Sequence, residues 1–215
     1  METPFVLDLE SQRLFAQLQE KFKLVDQQIG QFKSYLKLFL QASKEFNLTA
    51  LLSKKDIIEH HFMDSLALMH SFDFSSIGSF ADVGTGGGFP GIPLKIAFPH
   101  LAVTLIEVSA KKADFLKMVV EQLKLEKVFV EELDWRTFLR KTDYPIDLFV
   151  SRASLHTDEL VRMFRPSCAY KNAHLVYWAS RHWQITPMEQ PFFWKEYSYS
   201  LLHKERKLIF FKSKD

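Results

Sequence analysis

The chain has 215 residues, 47% hydrophobic and 25% charged, with a formal net charge of +2. That composition is ordinary for a globular protein and leaves ample material for a core, in one domain with an appendage or two small ones. The single cysteine, Cys168, excludes an intramolecular disulfide and suits a reducing compartment. No stretch reaches membrane-spanning length, and the first ten residues lack a basic, apolar leader, so a cytoplasmic location is expected. Residues 151–215 carry 11 basic and 6 acidic side chains, against 8 and 10 over residues 1–80. This excess is a weak footprint of a nucleic-acid partner and equally fits a solvated basic face.

Residues 1–72 read as a helical region. Phe32, Tyr35, Leu36, Phe39, Leu40 and Ser43 follow the i, i+3, i+4, i+7 spacing of one helical face, which Phe46 extends. A second helix is expected after Ser53, with Asp56 three residues on as in a capping box. Its inner face runs Ile58, His61, Phe62, Ser65, Leu66, Met69. His61 and Ser65 are the polar exceptions there. They are either hydrogen-bonded core groups or the border of a ligand cleft.

From residue 73 onward the pattern changes. Strand-like runs at 79–83, 102–107, 127–131, 146–151 and 173–178 alternate with helical stretches at 92–98, 110–123, 134–139 and 155–164. Alternation of this kind predicts βαβ units and a parallel sheet with helices on both faces. The end differs: 195–202 and 206–212 are strand-like, with only His203, Lys204 and Glu205 between them, so the last pair should be antiparallel. The fold class is therefore α/β: a Rossmann-like, mostly parallel sheet over 73–215, closed by an antiparallel pair and preceded by the helical region.

Five of the seven glycines fall together, at Gly84, Gly86, Gly87, Gly88 and Gly91, between the first strand and the first sheet helix. Glycine permits positive φ and close approach of a ligand to the backbone, and the helix start behind it favours electron-rich ligand atoms. Glu107, at the end of the second strand and 23 residues after Gly84, suits a carboxylate that holds ribose hydroxyls. Gly86 to Gly91 satisfies G-x-G-x-x-G, so a nicotinamide dinucleotide and an oxidoreductase are open alternatives. Asp82, directly before the loop, favours the cationic amino-acid moiety of S-adenosylmethionine over a pyrophosphate. Lys111 and Lys112 read as a solvated helix start. There is no Cys-His or Ser-His-Asp arrangement, no metal-ligand spacing and no assignable catalytic residue.

Asp82-Val83-Gly84-Thr85-Gly86-x-Gly88-Phe89-Pro90-Gly91-Ile92-Pro93-Leu94 resembles the fingerprint of the GidB/RsmG methyltransferases. So do Asn47-Leu48-Thr49, His61-Phe62-x-Asp64-Ser65-Leu66, Leu105-Ile106-Glu107-x-Ser109-x-Lys111-Lys112 and Ser151-Arg152-Ala153, and the similarity covers roughly residues 35–212. The resemblance implies a class I methyltransferase fold and S-adenosylmethionine as cofactor. It implies guanine N7 of small-subunit ribosomal RNA, naked or in the particle, as substrate. It also implies cofactor contacts at Gly84, Phe89, the adenine-side pair Trp135 and Arg136, and Arg152. No metal or membrane is expected, and a monomer is. Trp135-Arg136, Trp178-Ala179-Ser180 and His60 depart from the family pattern. A diverged relative that binds RNA without catalysis is the other reading.

Overall fold

The computed structural model describes residues 5–45, 48, 53–202 and 204–213. Helix α1 (Leu9–Phe22) begins at Asp8, whose side chain accepts the Ser11 N–H at 2.8 Å. Helix α2 (Asp26–Glu45) buries Ile29, Phe32, Tyr35, Leu36, Phe39 and Ala42 as one stripe, with Leu40 and Ser43 at its half-buried edge. Phe46, Asn47, Thr49 and His203, named in the sequence reading, lie outside the described residues.

The expected cap at Ser53 is present. Its hydroxyl accepts the Asp56 N–H at 3.0 Å and donates to the Asp56 carboxylate at 2.6 Å. Helix α3 (Lys54–Ile57) then widens into a π-helix over Ile58–Met63, returns to α4 (Asp64–Leu66) and tightens into a 3-10 turn, Ala67–His70. The wide turn carries His60 and His61. Such turns cluster at functional sites because they displace side chains from helical register.

The sheet is formed by β1 (Ser79–Val83), β2 (Ala102–Ile106), β3 (Val128–Glu131), β4 (Leu148–Arg152), β5 (His174–Ser180), β6 (Phe193–Leu201) and β7 (Lys204–Phe211). Its order is β3-β2-β1-β4-β5-β7-β6; the first five strands are parallel, and β7 runs antiparallel to both β5 and β6. The crossovers carry α5 (Gly91–Ala97), α6 (Ala110–Gln122), α7 (Trp135–Lys141) and α8 (Thr157–Leu160), the last followed by a 3-10 turn, Val161–Phe164.

Successive strand residues point to opposite faces, and this period of two sorts the core. Phe80, Leu105, Leu148, Val150, Val176 and Phe210 face one cluster, shared with α1 to α6. Ala81, Ile106, Phe149, Leu175, Ile209 and Phe211 face the other, closed by α7 and α8. The helical region therefore supplies part of a sheet layer. Phe62, fully buried, has ring contacts with Phe15 at 6.5 Å, Phe32 at 5.1 Å, Tyr35 at 5.4 Å and Phe89 at 6.0 Å.

We propose on this ground that residues 1–72 and 73–215 unfold as one unit. All four tryptophans lie in the second part, at 135, 178, 183 and 194. Phe62→Ala should lower the stability read by their fluorescence in urea by about 3–5 kcal/mol, the usual range for emptying a core phenylalanine site. An unshifted tryptophan transition would mean that the helical region folds separately.

Candidate functional site

The parallel strands end at one edge, and the loop after β1 runs along it. The Gly84 and Thr85 N–H groups both donate to the Ile106 carbonyl, at 2.9 and 3.1 Å, which anchors the loop to β2. Gly84, Gly86 and Gly88 have positive φ, at 67°, 60° and 100°. A Cβ on Gly84 would lie 2.3 Å from the Ser154 Cβ, on Gly87 2.5 Å from the Phe39 ring, and on Gly91 2.5 Å from Leu105 and 2.9 Å from an Asp82 oxygen. On Gly88 it would meet Ile92 and the Tyr35 hydroxyl. Four of the five glycines are thus required by packing against the protein itself. Only a Cβ on Gly86 would meet nothing within 4 Å; its positive φ is what calls for glycine there, and the space beside it opens to the cleft.

Beside Gly86 opens a cleft of about 460 Å³. Gly84, Thr85, Gly86, Gly87 and Phe89 form its floor. Glu107, Val108 and Lys112 stand on the β2 side, Leu133, Asp134 and Trp135 on the β3 side, and Arg152 to Leu155 on the β4 side. Leu48 and His61 of the helical region complete the lining. Gly84, Gly86, Phe89, Glu107, Trp135 and Arg152, taken from the sequence as site residues, are brought together here.

Glu107 is buried. Its Oε2 accepts the Gly86 N–H at 2.9 Å and its Oε1 the Ser109 N–H at 3.0 Å. One carboxylate thus fixes the tip of the glycine loop and the start of α6, and each oxygen keeps acceptor capacity. Trp135 opens α7 and donates its indole N–H to the Glu159 carbonyl at 2.9 Å. Arg152 donates to the His60 carbonyl and to Asp64 Oδ2, each at 3.0 Å, and approaches His61 Nδ1 at 2.9 Å. Its guanidinium lies 5.4 Å from the Phe89 ring centre, and His61 stacks on that ring at 4.5 Å and 13°.

A guanidinium is always a donor, so His61 Nδ1 accepts and its ring is neutral. Burial, with the Arg152 charge second, pushes the His61 pKa down to about 3. Both readings of His61 hold: it is a hydrogen-bonded core group and it borders the cleft.

Two expected site residues stand apart. Asp82 does not line the cleft. It shares the inner sheet face with Phe80, is fully buried under the loop, and accepts from Thr85 Oγ1 at 2.6 Å and from the Gly91 N–H at 2.7 Å. Its part is to hold the loop down and to cap α5. Arg136 follows Trp135 on α7 and points away, largely exposed, to a bidentate pair with Glu159 at 2.9 Å. Trp178 is buried and donates to the Asp64 carbonyl at 2.9 Å, so this departure from the family pattern serves packing.

Sequence reasoning missed Val108, Lys112, Asp134, Ala153 and Ser154. The Asp134-x-x-Thr137 capping pattern, which the structure forms at 2.9 Å, was the available signal for one of them. Ala153 holds a positive φ of 54°, a strained state for a residue with a side chain and invisible in composition.

The family model described as "GidB: rRNA small subunit methyltransferase G" matches residues 28–210. The "Ribosomal RNA small subunit methyltransferase G" of Aster yellows witches'-broom phytoplasma is 36% identical over 154 residues, covering 71% of this chain and 72% of that one. That of Leuconostoc citreum is 44% identical over 165 residues, covering 71% and 66%. Among solved structures, a mutant of MtNAS in complex with S-adenosylmethionine aligns with TM-score 0.56 at 16% identity, over 96% of this chain and 80% of that one. The delta-N METTL16 MTase domain aligns with 0.57 at 14%, over 80% and 92%. These two likenesses bear on the fold alone, which is that of class I methyltransferases.

Burial raises the Asp82 pKa from 3.8 to about 7; Thr85, Gly91 and Arg152 oppose the shift and Glu107 adds to it. Its Oδ1 has no hydrogen-bond partner among the described residues, which leaves room there for the proton. Between pH 4 and 7 the folded chain holds a proton that the unfolded chain has lost, so this group makes stability fall as pH rises. Asp82→Asn should remove that fall. Its stability relative to wild type should climb from pH 5 to about 7, by at most about 1.4 kcal/mol per pH unit, and level off by pH 8. A constant difference across that range, in urea titrations, would contradict the assignment.

Proposed function

The chain belongs to the GidB family, that of rRNA small subunit methyltransferase G, and on that premise we propose that it methylates guanine N7 of small-subunit ribosomal RNA, with S-adenosylmethionine as donor. The cofactor, when bound, supplies an electrophilic methyl group on a cationic sulfonium. The observation that carries the reading is the cleft beside Gly86, where one position of a tightly packed loop is left open to a ligand.

The residues present fit such a group. Glu107 would take ribose hydroxyls with the acceptor capacity its two backbone donors leave. Trp135, Leu133 and Val108 would give the adenine side an apolar wall. The backbone of Gly84 to Gly86 would meet the amino-acid side. Asp82 acts on that side through the loop it restrains. Arg152 positions His61 and Phe89 and keeps the π-helical turn against the carboxyl end of β4.

Guanine N7 presents a neutral in-plane lone pair, so no proton need leave before attack. The protein's task is to align donor and acceptor and to exclude alternative geometries. The state of His61 supports this chemistry. With Nδ1 engaged by Arg152 and the pKa near 3, its protonation does not change in the working range.

The reading of an RNA binder without catalysis rests on the altered positions Trp135-Arg136 and Ala179-Ser180. Arg136 and Trp178 are engaged by structural contacts outside the cleft; Trp135 is the departure that lines it, and its indole is compatible with an apolar wall for the adenine side. Membership of a methyltransferase family replaces the oxidoreductase alternative.

Single-turnover methyl transfer at saturating S-adenosylmethionine should be nearly flat between about pH 6.5 and 8.5. Saturation removes from this rate any effect of the Asp82 titration on cofactor affinity. His61→Asn should lower the rate and leave the profile flat. A rate rising tenfold per pH unit, and flattened in His61→Asn, would mean that a proton is removed. The acceptor would then be an oxygen, an exocyclic amine or a ring carbon.

A further inference from the structure

A second hollow, of about 410 Å³, opens on the same edge of the sheet, lined by Ser180, Arg181, Lys204, Glu205 and Arg206. Three cations there meet one carboxylate. They come from two strands that run in opposite directions: β5 ends at Ser180, whose partner in β7 is Arg206. The period of two puts Lys204 and Arg206 on the face of β7 that carries Leu208 and Phe210, which pack in the cluster of the N-terminal helices. Arg152 of β4 reaches toward those helices from the same face.

One buried residue separates the hollow from the cleft. Asp64 takes Arg152 Nη1 on Oδ2 at 3.0 Å, and its Oδ1 lies 3.6 Å from Arg206 Nε. That second contact is an ion pair without a hydrogen bond: Arg206 Nε has no hydrogen-bond partner among the described residues. The Asp64 Oδ1 lone pair is engaged instead by the Tyr199 hydroxyl at 2.6 Å. Arg181 Nε donates to a ring nitrogen of His182 at 2.9 Å, which offsets no charge. Among the described residues neither Arg181 nor Lys204 is in an ion pair, and both are exposed.

An exposed guanidinium and an ammonium converging on a concave surface form a receptor for phosphate oxygens. The planar fork gives directional bonds and the ammonium a point charge. The uneven charge of the chain has the same sense, with 11 basic and 6 acidic residues over 151–215. We infer that this hollow holds backbone phosphate of the ribosomal RNA, next to the nucleotide presented to the cleft, with Arg181 and Lys204 as its positioning residues. The inference rests on the proposed rRNA methyltransferase reading and adds where the RNA strand runs. Its direction follows from the fold: from the cleft at β1 and β4, across Asp64, to the end of β5.

The test uses the full chain, small ribosomal subunits from cells lacking this protein, and the transcribed small-subunit RNA. Arg181→Ala/Lys204→Ala is compared with Arg165→Ala/Lys171→Ala, which removes the same charge from exposed positions before the start of β5. The first pair should weaken RNA binding about tenfold or more at 0.1 M salt. It should also lower the slope of log K against log salt by about 1.5, for two phosphate contacts at roughly 0.7–0.9 each. KM for RNA should rise by a similar factor with kcat unchanged, the signature of uniform binding. Affinity for S-adenosylmethionine should not move. The control pair should leave the slope unaltered. Equal effects of both pairs would reduce the result to net charge and overturn the inference, as would an unchanged slope in Arg181→Ala/Lys204→Ala. If wild type methylates RNA while these variants are silent, the hollow alone is misassigned. If wild type neither binds S-adenosylmethionine nor methylates RNA, the functional reading fails, and this inference with it.

Discussion

The carboxyl edge of the sheet depends on how closely one loop lies against its neighbours. The chain leaving β1 passes within Cβ distance of Ser154, Phe39, Ile92 and Leu105 in eight residues. No residue with a side chain satisfies those contacts at four of the positions, and three of the five glycines hold positive φ. Asp82 holds this segment from below through Thr85 and Gly91, and Glu107 holds its tip through Gly86. Two carboxylates thus restrain a loop that has little side-chain mass of its own. The desolvation borne by Asp82 is the electrostatic counterpart of that packing, since among the described residues nothing donates to its remaining oxygen.

The second organising group is Arg152. Three of its contacts go to the turn of helix between His60 and Asp64, so the helical region is fastened to β4 by charge where it is fastened to Phe89 of the glycine loop and Phe115 of α6 by aromatic packing. Asp64 extends the connection outward through Tyr199 on β6, Trp178 on β5 and Arg206 on β7. This buried acid is surrounded by donors, the condition under which a charge is tolerated inside a protein. The cleft and the basic hollow beyond it therefore share one electrostatic support. Displacing the π-helical turn would disturb both together.

Much of this was legible in the sequence because it rests on local periodicity. The βαβ alternation, the antiparallel closing pair and the α2 stripe follow from spacing, and the Ser53 cap from residue type. The loop was legible as a loop, but its glycines were not legible one by one. Only coordinates distinguish a glycine that accommodates Phe39 from one that opens to the cleft. Asp82 and Arg136 were misplaced for a related reason. Adjacent positions on a strand end or a first helical turn point in different directions, and sequence proximity to a site does not say which. Trp135 faces the cleft and Arg136 faces Glu159. Ala153 stood in a family-like motif without its role being legible, and Ser154 left no mark, because a strained backbone and a hydroxyl packed against glycine are facts of tertiary geometry. The basic hollow appeared only as an excess of charge, until β5 and β7 were seen to bring Arg181 and Lys204 to the same edge.

On this reading the cleft beside Gly86 delivers a methyl group to guanine N7 of small-subunit ribosomal RNA. The most direct measurement is nucleoside mass spectrometry of that RNA, from cells with and without the protein and after incubation of the unmodified RNA or subunits with the purified chain and S-adenosylmethionine. The expected result is that 7-methylguanosine falls by one equivalent in the deficient cells and is restored by the purified chain. Unchanged 7-methylguanosine, or restoration of a methyl group on a different atom, would contradict it.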